Sequence, residues 1–214
     1  MKQKEAFLRG EGDAWFKRNA PALSQRALPD EDPIALEILG LKKTLPKRAS
    51  ILEIGCGPGV RLAWLRDNLN YVCYGIEPSA KAVKSAKSRR VHARVGTADH
   101  LPYGQRYFDV VIFGFCLYLC DREDLFQIAA EADRVLKSPG WLLILDFYHP
   151  TPISREYHHR AGVQSYKMDY RTLFTWHPSY CAYSHKVEQH HGRGYTDNPL
   201  DWTSLSVLRK KAHR

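Results

Sequence analysis

Apolar and polar positions along this chain switch between a period of two and a helical period, and the switches mark its elements. Ile51-Leu52 with Ile54 is a short apolar run that ends in Gly55, Gly57 and Gly59 at alternate positions. Leu62, Ala63, Leu65 and Leu69 then recur at helical spacing. This predicts a buried strand, a tight turn and a helix. The alternation continues with a strand over Tyr71 to Glu77, a helix over Ala80 to Arg90 capped by Ser79, and strands over Val91 to Val95 and Phe108 to Gly114. Asp121, with Glu123 and Asp124 behind it, opens a helix whose stripe is Leu125, Ile128, Ala129, Ala132 and Val135-Leu136. Ser138-Pro139-Gly140 stops that helix before a fifth strand, Trp141 to Phe147. Strands and helices in strict alternation predict a parallel sheet covered on both faces.

The two ends depart from this rhythm. Residues 1 to 48 read as a helical preface. Gly10 and Gly12 loosen the chain before the amphipathic turn Ala14 to Asn19, and Asp32-Pro33 starts an apolar helix that stops before Pro46. From Tyr148 to Tyr180 the periodicity breaks and His, Tyr, Arg and Pro accumulate. Tyr180 to His190 and Asp201 to Lys211 alternate again, predicting an antiparallel pair joined by the turn-rich residues 191–199.

The chemistry gathers at the glycine turn. Glycines there permit backbone angles that side chains forbid and let a ligand approach without meeting a Cβ. The helix N-terminus beyond them presents free N–H groups. Glu53 is an acid within a buried strand and is expected to face a ligand. Glu77 ends the second strand, 22 residues beyond Gly55. A carboxylate at that strand end can accept both hydroxyls of a ribose.

Composition changes this picture little. A chain of 214 residues, 44% hydrophobic, suits one domain of ordinary size with decorations. The net charge of +9 suits an anionic substrate, with nucleic acid the less favoured partner, because the Lys and Arg residues are scattered. Five cysteines with no CxxC pair argue against a disulfide framework or a zinc site and for a reducing, cytoplasmic setting. His158-His159 and His190-His191 are poor chelating pairs, since adjacent residues on a strand face opposite ways; no metal is expected. No signal peptide and no membrane span are expected. Oligomeric state is not legible.

Glu53-Ile54-Gly55-Cys56-Gly57-Pro58-Gly59 resembles the first motif of the class I S-adenosylmethionine-dependent methyltransferases, an acid followed by GxGxG. Within that class the chain is similar to the small-molecule type 11/25 group. Gly96 to Tyr103, GTADHLPY, resembles the family's GDAxxLPF segment, with Thr97 at the usual aspartate position. RVLKSPGWLLILDF resembles the turn before the family's fifth strand, with Trp141 in place of a glycine. The stretch FLRGEGDAWFKRN is similar to a cofactor-covering segment in members linked to sugar and surface-polysaccharide biosynthesis.

The resemblance implies a Rossmann-like, doubly wound α/β fold with a mostly parallel seven-stranded sheet, a C-terminal antiparallel strand pair and an N-terminal helical cap. Residues 1–48 would be the cap or lid, and 49–214 the methyltransferase domain with a substrate-recognition insert at about 148–180. It implies S-adenosylmethionine as cofactor and S-adenosylhomocysteine as product. Glu53, Gly55 and Gly57 would line the cofactor site, Glu77 would hold the ribose and Pro78 lie against adenine. Thr97, Ala98 and Asp99 would recognise the adenine edge, Phe115 would contact the methionyl part and Arg18 its carboxylate. Tyr118, Arg155 and His158 would meet substrate, and His149, then His177, would serve as general base. The acceptor would be a small acidic or sugar-like molecule, methylated on oxygen or nitrogen. Two rivals stand beside this reading: a nicotinamide-dependent oxidoreductase, disfavoured by Val60 where GxGxxG needs glycine, and a non-catalytic nucleoside-binding module.

Overall fold

The computed structural model describes residues 2–190 and 195–212. Its frame is a seven-stranded sheet in the order β3-β2-β1-β4-β5-β9-β8. The strands are β1 (Ser50–Ile54), β2 (Val72–Glu77), β3 (His92–Val95), β4 (Phe108–Gly114), β5 (Leu136–Phe147), β8 (Tyr180–Gln189) and β9 (Trp202–Lys210). The first five run parallel, and β9 pairs antiparallel with both β5 and β8. The expected antiparallel pair is therefore present; residues 191–194 of its connection lie outside the described residues.

The period of two along each strand sorts the core into two layers. Ile51, Cys73, Val110, Ile112 and Leu143 face one way and pack on Ile34 and Ile38 of α3 (Pro33–Gly40), Leu62 and Leu65 of α4 (Val60–Leu69) and Ala86 of α5 (Ala80–Ser88). Leu52, Ile54, Val111, Phe113, Leu142 and Ile144 face the other way onto Ile128, Ala132 and Val135 of α6 (Leu125–Val135). Both layers exclude water, so the strands read as near-continuous apolar runs. Asp32 caps α3 through the Ala35 amide (2.9 Å), and Ser79 caps α5 through Ala82 (3.0 Å), as their positions predict.

A third, smaller core sits beyond the carboxyl ends of the strands. It joins Ala6 and Phe7 from the N-terminal segment, Tyr118 and Leu119 after β4, and Tyr157 and Val163 from the stretch after β5. That stretch contains a separate two-stranded sheet, β6 (Ile153–Glu156) with β7 (Gln164–Lys167), and a short helix, α7 (Thr172–Thr175). The N-terminal segment runs α1 (Gln3–Ala6), a wide turn over Phe7–Glu11 and α2 (Gly12–Gln25).

Asp121 does not cap α6, which begins four residues later at Leu125. Its two carboxylate oxygens instead accept from the Gln3 and Lys4 amides (2.8 and 3.0 Å), capping α1. A capping acid serves whichever helix end tertiary structure brings to it.

Candidate active site

The site grows out of the β1–α4 turn. Gly55, Gly57 and Gly59 all hold positive φ, at 77°, 50° and 71°. Their surroundings separate their roles. A Cβ on Gly55 would lie 2.7 Å from Cys116 Cβ, and one on Gly59 2.9 Å from Ala86 Cβ, so these two let α4 and the loop after β4 pack closely. A Cβ on Gly57 would meet nothing nearer than Leu23 at 3.9 Å. It would point into open space, where a ligand can lie on bare backbone.

Glu77 completes the turn. One of its carboxylate oxygens accepts from the Gly57 amide (3.0 Å) and the other from Ser79 (2.9 Å). Each oxygen keeps a lone pair for a further donor. Burial pushes the Glu77 carboxyl up to about 7, against the two amides that favour its charged form.

Glu53 lies on the α4 side of the sheet because alternation puts it there with Ile51. It is buried and ion-paired with Arg61, whose guanidinium also grips Asp32 (2.9 Å); Arg26 holds the same Asp32 carboxylate at 2.9 Å. Gly114 makes this crossing feasible, since a Cβ there would stand 2.9 Å from a Glu53 oxygen. The second Glu53 oxygen is buried without a hydrogen-bond partner. An orphaned carboxylate oxygen beside the turn is an acceptor awaiting a donor.

Two cavities open beyond the strand ends at the point where strand order reverses between β1 and β4. The first has Glu77, Pro78, Thr97, Ala98 and Asp99 in its wall. The second has Glu53, Gly57, Tyr118 and His158 in its wall. Gly55, Trp15 and Phe115 border both. Phe115 sits at φ 52°, a conformation uncommon for a side-chain-bearing residue and concentrated at functional turns.

Not every expected residue reaches a cavity. The Asp99 carboxylate does border the first, but it is ion-paired with Lys4 of α1. Arg18 borders neither; it is spent on Glu11 (2.6 Å) and the Tyr157 hydroxyl (3.0 Å). His149 folds back onto the Thr151 backbone, His177 bonds the Ser179 amide (3.2 Å), and Arg155 is exposed on β6; none borders either of these two cavities. His158, His159 and His190 occupy the wall of the second cavity instead.

The N-terminal segment adds contacts at Gly12 and Asp13 that its sequence did not announce. Gly12 lies against the β2–α5 loop so closely that a Cβ would stand 3.1 Å from the Ser79 nitrogen. Beside it, Asp13 accepts from the Ser79 hydroxyl (2.6 Å) and the Lys81 amide (3.1 Å). Glycine followed by an acid in GEGDAW is their trace in the sequence.

A pH dependence of stability follows from two buried acids without a cationic partner. Asp146 accepts from the Cys116, Leu117 and Phe147 amides, yet burial pushes it up to about 7. Glu77 stands at the same value. Both hold a proton in the folded chain up to about pH 7 but lose it near pH 4 when unfolded. Stability from these groups is complete below about pH 4 and is lost as pH rises to 7. His159 and His185, held low chiefly by burial, oppose this with smaller displacements. Asp32, held to about 2 by Arg61 against burial, matters only in strong acid. Thermal midpoints should therefore fall by about 5 °C or more between pH 5.5 and 8; a flat or rising profile would contradict the assignment.

Sheet order, glycine turn and acid-ended β2 together give the Rossmann-like fold shared by S-adenosylmethionine-dependent methyltransferases of known structure. Residues 52–144 match the family model described as a methyltransferase domain. An uncharacterised methyltransferase from Bacillus subtilis, YcgJ, is 32% identical over 125 residues, 53% of this chain and 48% of that protein. The chain thus spans about half the length of the curated relatives it matches. Among solved structures, 1,6-didemethyltoxoflavin-N1-methyltransferase of Burkholderia thailandensis, with bound 1,6-didemethyltoxoflavin and S-adenosylhomocysteine, superposes with TM-score 0.71 at 15% identity. That match covers 97% of this chain and 88% of the other. The putative methyltransferase in complex with the Haloferax volcanii Trm112 activator superposes at 0.70 and 18% identity, covering 97% and 99%. At such identities the likeness is one of fold.

Proposed function

We propose that the protein methylates a small acidic molecule on oxygen or nitrogen, with its cofactor running from the first cavity along the glycine turn into the edge of the second, and the acceptor in the remainder of the second. The observation that carries this is the shared border. Gly55, Trp15 and Phe115 belong to both walls, so the two cavities adjoin at the glycine turn and a molecule lying along it meets the acceptor chamber there. The turn fits a nucleoside: bare backbone at Gly57, two acceptor oxygens on Glu77, and the orphaned Glu53 oxygen, which suits an ammonium donor.

Bound S-adenosylmethionine supplies an activated methyl group, so the protein's share is alignment and proton removal. Methyl transfer breaks the carbon–sulfur bond, forms a carbon–oxygen or carbon–nitrogen bond and releases the acceptor's proton. His159 is suited to receive it: desolvation and the neighbouring Arg18 and His158 hold its imidazole below the usual value, hence neutral. His149 and His177, the expectations from sequence, have no border on the chamber. Residues 1–48 act as the lid, with Gly12 and Asp13 pressed on the β2–α5 loop and Lys4 bridging Asp99 and Asp124 (2.7 Å to the latter).

Calorimetric titration with S-adenosylhomocysteine and with NAD tests the cofactor. Saturable binding of the first alone is expected; binding of NAD alone would overturn the reading in favour of an oxidoreductase.

A further inference from the structure

The acceptor chamber is charged and aromatic in a way that narrows its occupant. Phe115, Tyr118, Phe147 and His190 form a ring-lined corner, with ring centroids 4.8 Å apart for Tyr118–Phe147 and Phe147–His190, and 5.4 Å for Phe115–Phe147. All four border the chamber. Over the Phe147 ring, 4.6 Å from its centroid, stands the ammonium of Lys167 at the end of β7.

The charges in the chamber are unevenly matched. Its two carboxylates, Asp32 and Glu53, are ion-paired with Arg26 and Arg61, and the one Glu53 oxygen left open is the one proposed above for the cofactor's ammonium. Lys167 makes no ion pair among the described residues; it donates to the Leu200 carbonyl and has two further N–H bonds to give. Desolvation, reinforced by nearby Arg155 and only partly offset by Asp201, holds its ammonium below the usual value. A cationic amine would find here a cation already seated on the aromatic face, and no open carboxylate oxygen beyond the one proposed for the cofactor's ammonium. A planar ring with an acidic substituent would find both aromatic side chains to pack against and a counterion.

We infer that Lys167 is the specificity-determining residue for the acceptor, and that the acceptor is a small planar aromatic molecule whose anionic group pairs with this ammonium. This rests on the second cavity being the acceptor site of the proposed methyltransferase. Lys167 fixes the acidic edge, the ring packs beside the Tyr118–Phe147 pair, and the ring's opposite edge is turned towards Phe115. A wrong orientation leaves the acid unpaired in a partly desolvated chamber, which discriminates more strongly than loss of stacking alone.

The experiment uses the full chain saturated with S-adenosylhomocysteine, so that cofactor binding is scored first and separately. Failure of that step is a failure of the methyltransferase reading, not of this one. A panel of mono- and bicyclic aromatic carboxylates, their neutral carboxamides, and glucuronate as a non-aromatic acid is then titrated by calorimetry. At least one aromatic acid should bind about tenfold or more tightly than its own carboxamide and than glucuronate. Lys167→Met, which keeps the aliphatic stem, should erase the preference for acid over amide without changing S-adenosylhomocysteine affinity, and Lys167→Arg should retain most of it. Three results would overturn the inference: no aromatic acid binding, glucuronate binding as well as the best of them, or an acid preference that survives Lys167→Met.

Discussion

Gly57→Val should remove cofactor binding while leaving the chain folded. The turn holds Gly57 at φ 50°, where a β-branched residue costs about 1–2 kcal/mol, a fraction of ordinary domain stability. The new Cβ would meet no protein atom nearer than Leu23 at 3.9 Å, so the valine would project into the space offered to the cofactor. Affinity for S-adenosylhomocysteine should fall by about tenfold at least, and saturation should be lost at ordinary concentrations. Gly59→Ala makes the informative contrast. Its methyl would press on Ala86 of α5 at 2.9 Å and damage the packing between helices instead. Thermal midpoints and calorimetric affinities on both variants should thus move in opposite proportion: binding lost with stability largely kept at position 57, stability lost with the cradle intact at position 59. Wild-type affinity in Gly57→Val would mean that the cofactor does not lie on this turn.

The contrast between these glycines also shows what the sequence can convey. The GxGxG spacing announces that the turn binds or packs, because glycine at alternate positions has few other uses. It does not reveal which glycine faces a ligand and which faces a helix, since Cys116 and Ala86 come from distant parts of the chain. The strands were legible for the same local reason: β4 falls on Phe108–Gly114 as its apolar run predicts, and β9 follows its alternation. The candidate base was not. A histidine just after β5 reads as pointing at the strand ends, but the Tyr148 amide bonds Trp202 at 2.9 Å and turns the chain, so His149 closes on Thr151. The histidines that border the chamber arrive on the segment between β6 and β7 and at the end of β8, whose approach is set by the small core around Tyr157 and Val163. The Glu53–Arg61–Asp32–Arg26 array is likewise assembled from four separate segments with no shared local pattern.

Glu77 should give the other large effect, and its buried state makes that effect depend on pH. Without a ligand the carboxyl keeps its proton to about pH 7, because burial outweighs the Ser79 and Gly57 amides. Ribose hydroxyls donating to its two remaining lone pairs would stabilise the ionised form and lower that value. Binding below pH 7 must then expel a proton, so affinity for S-adenosylhomocysteine should rise with pH between about 5 and 7 and level off above. Calorimetry in buffers of different ionisation enthalpy reads the released proton directly. Glu77→Ala removes both acceptors and leaves the Gly57 and Ser79 amides without theirs, and should weaken binding by more than about tenfold at pH 8. Glu77→Gln retains one acceptor oxygen and the approximate shape, so it should bind more tightly than the alanine variant and, having nothing to titrate, show no proton release from this position. If the glutamine variant kept the wild-type pH slope, the proton would belong to another group, with Glu53 the next buried acid beside the turn. If the alanine variant bound as tightly as wild type, the strand-end carboxylate would be serving the turn alone and not the sugar.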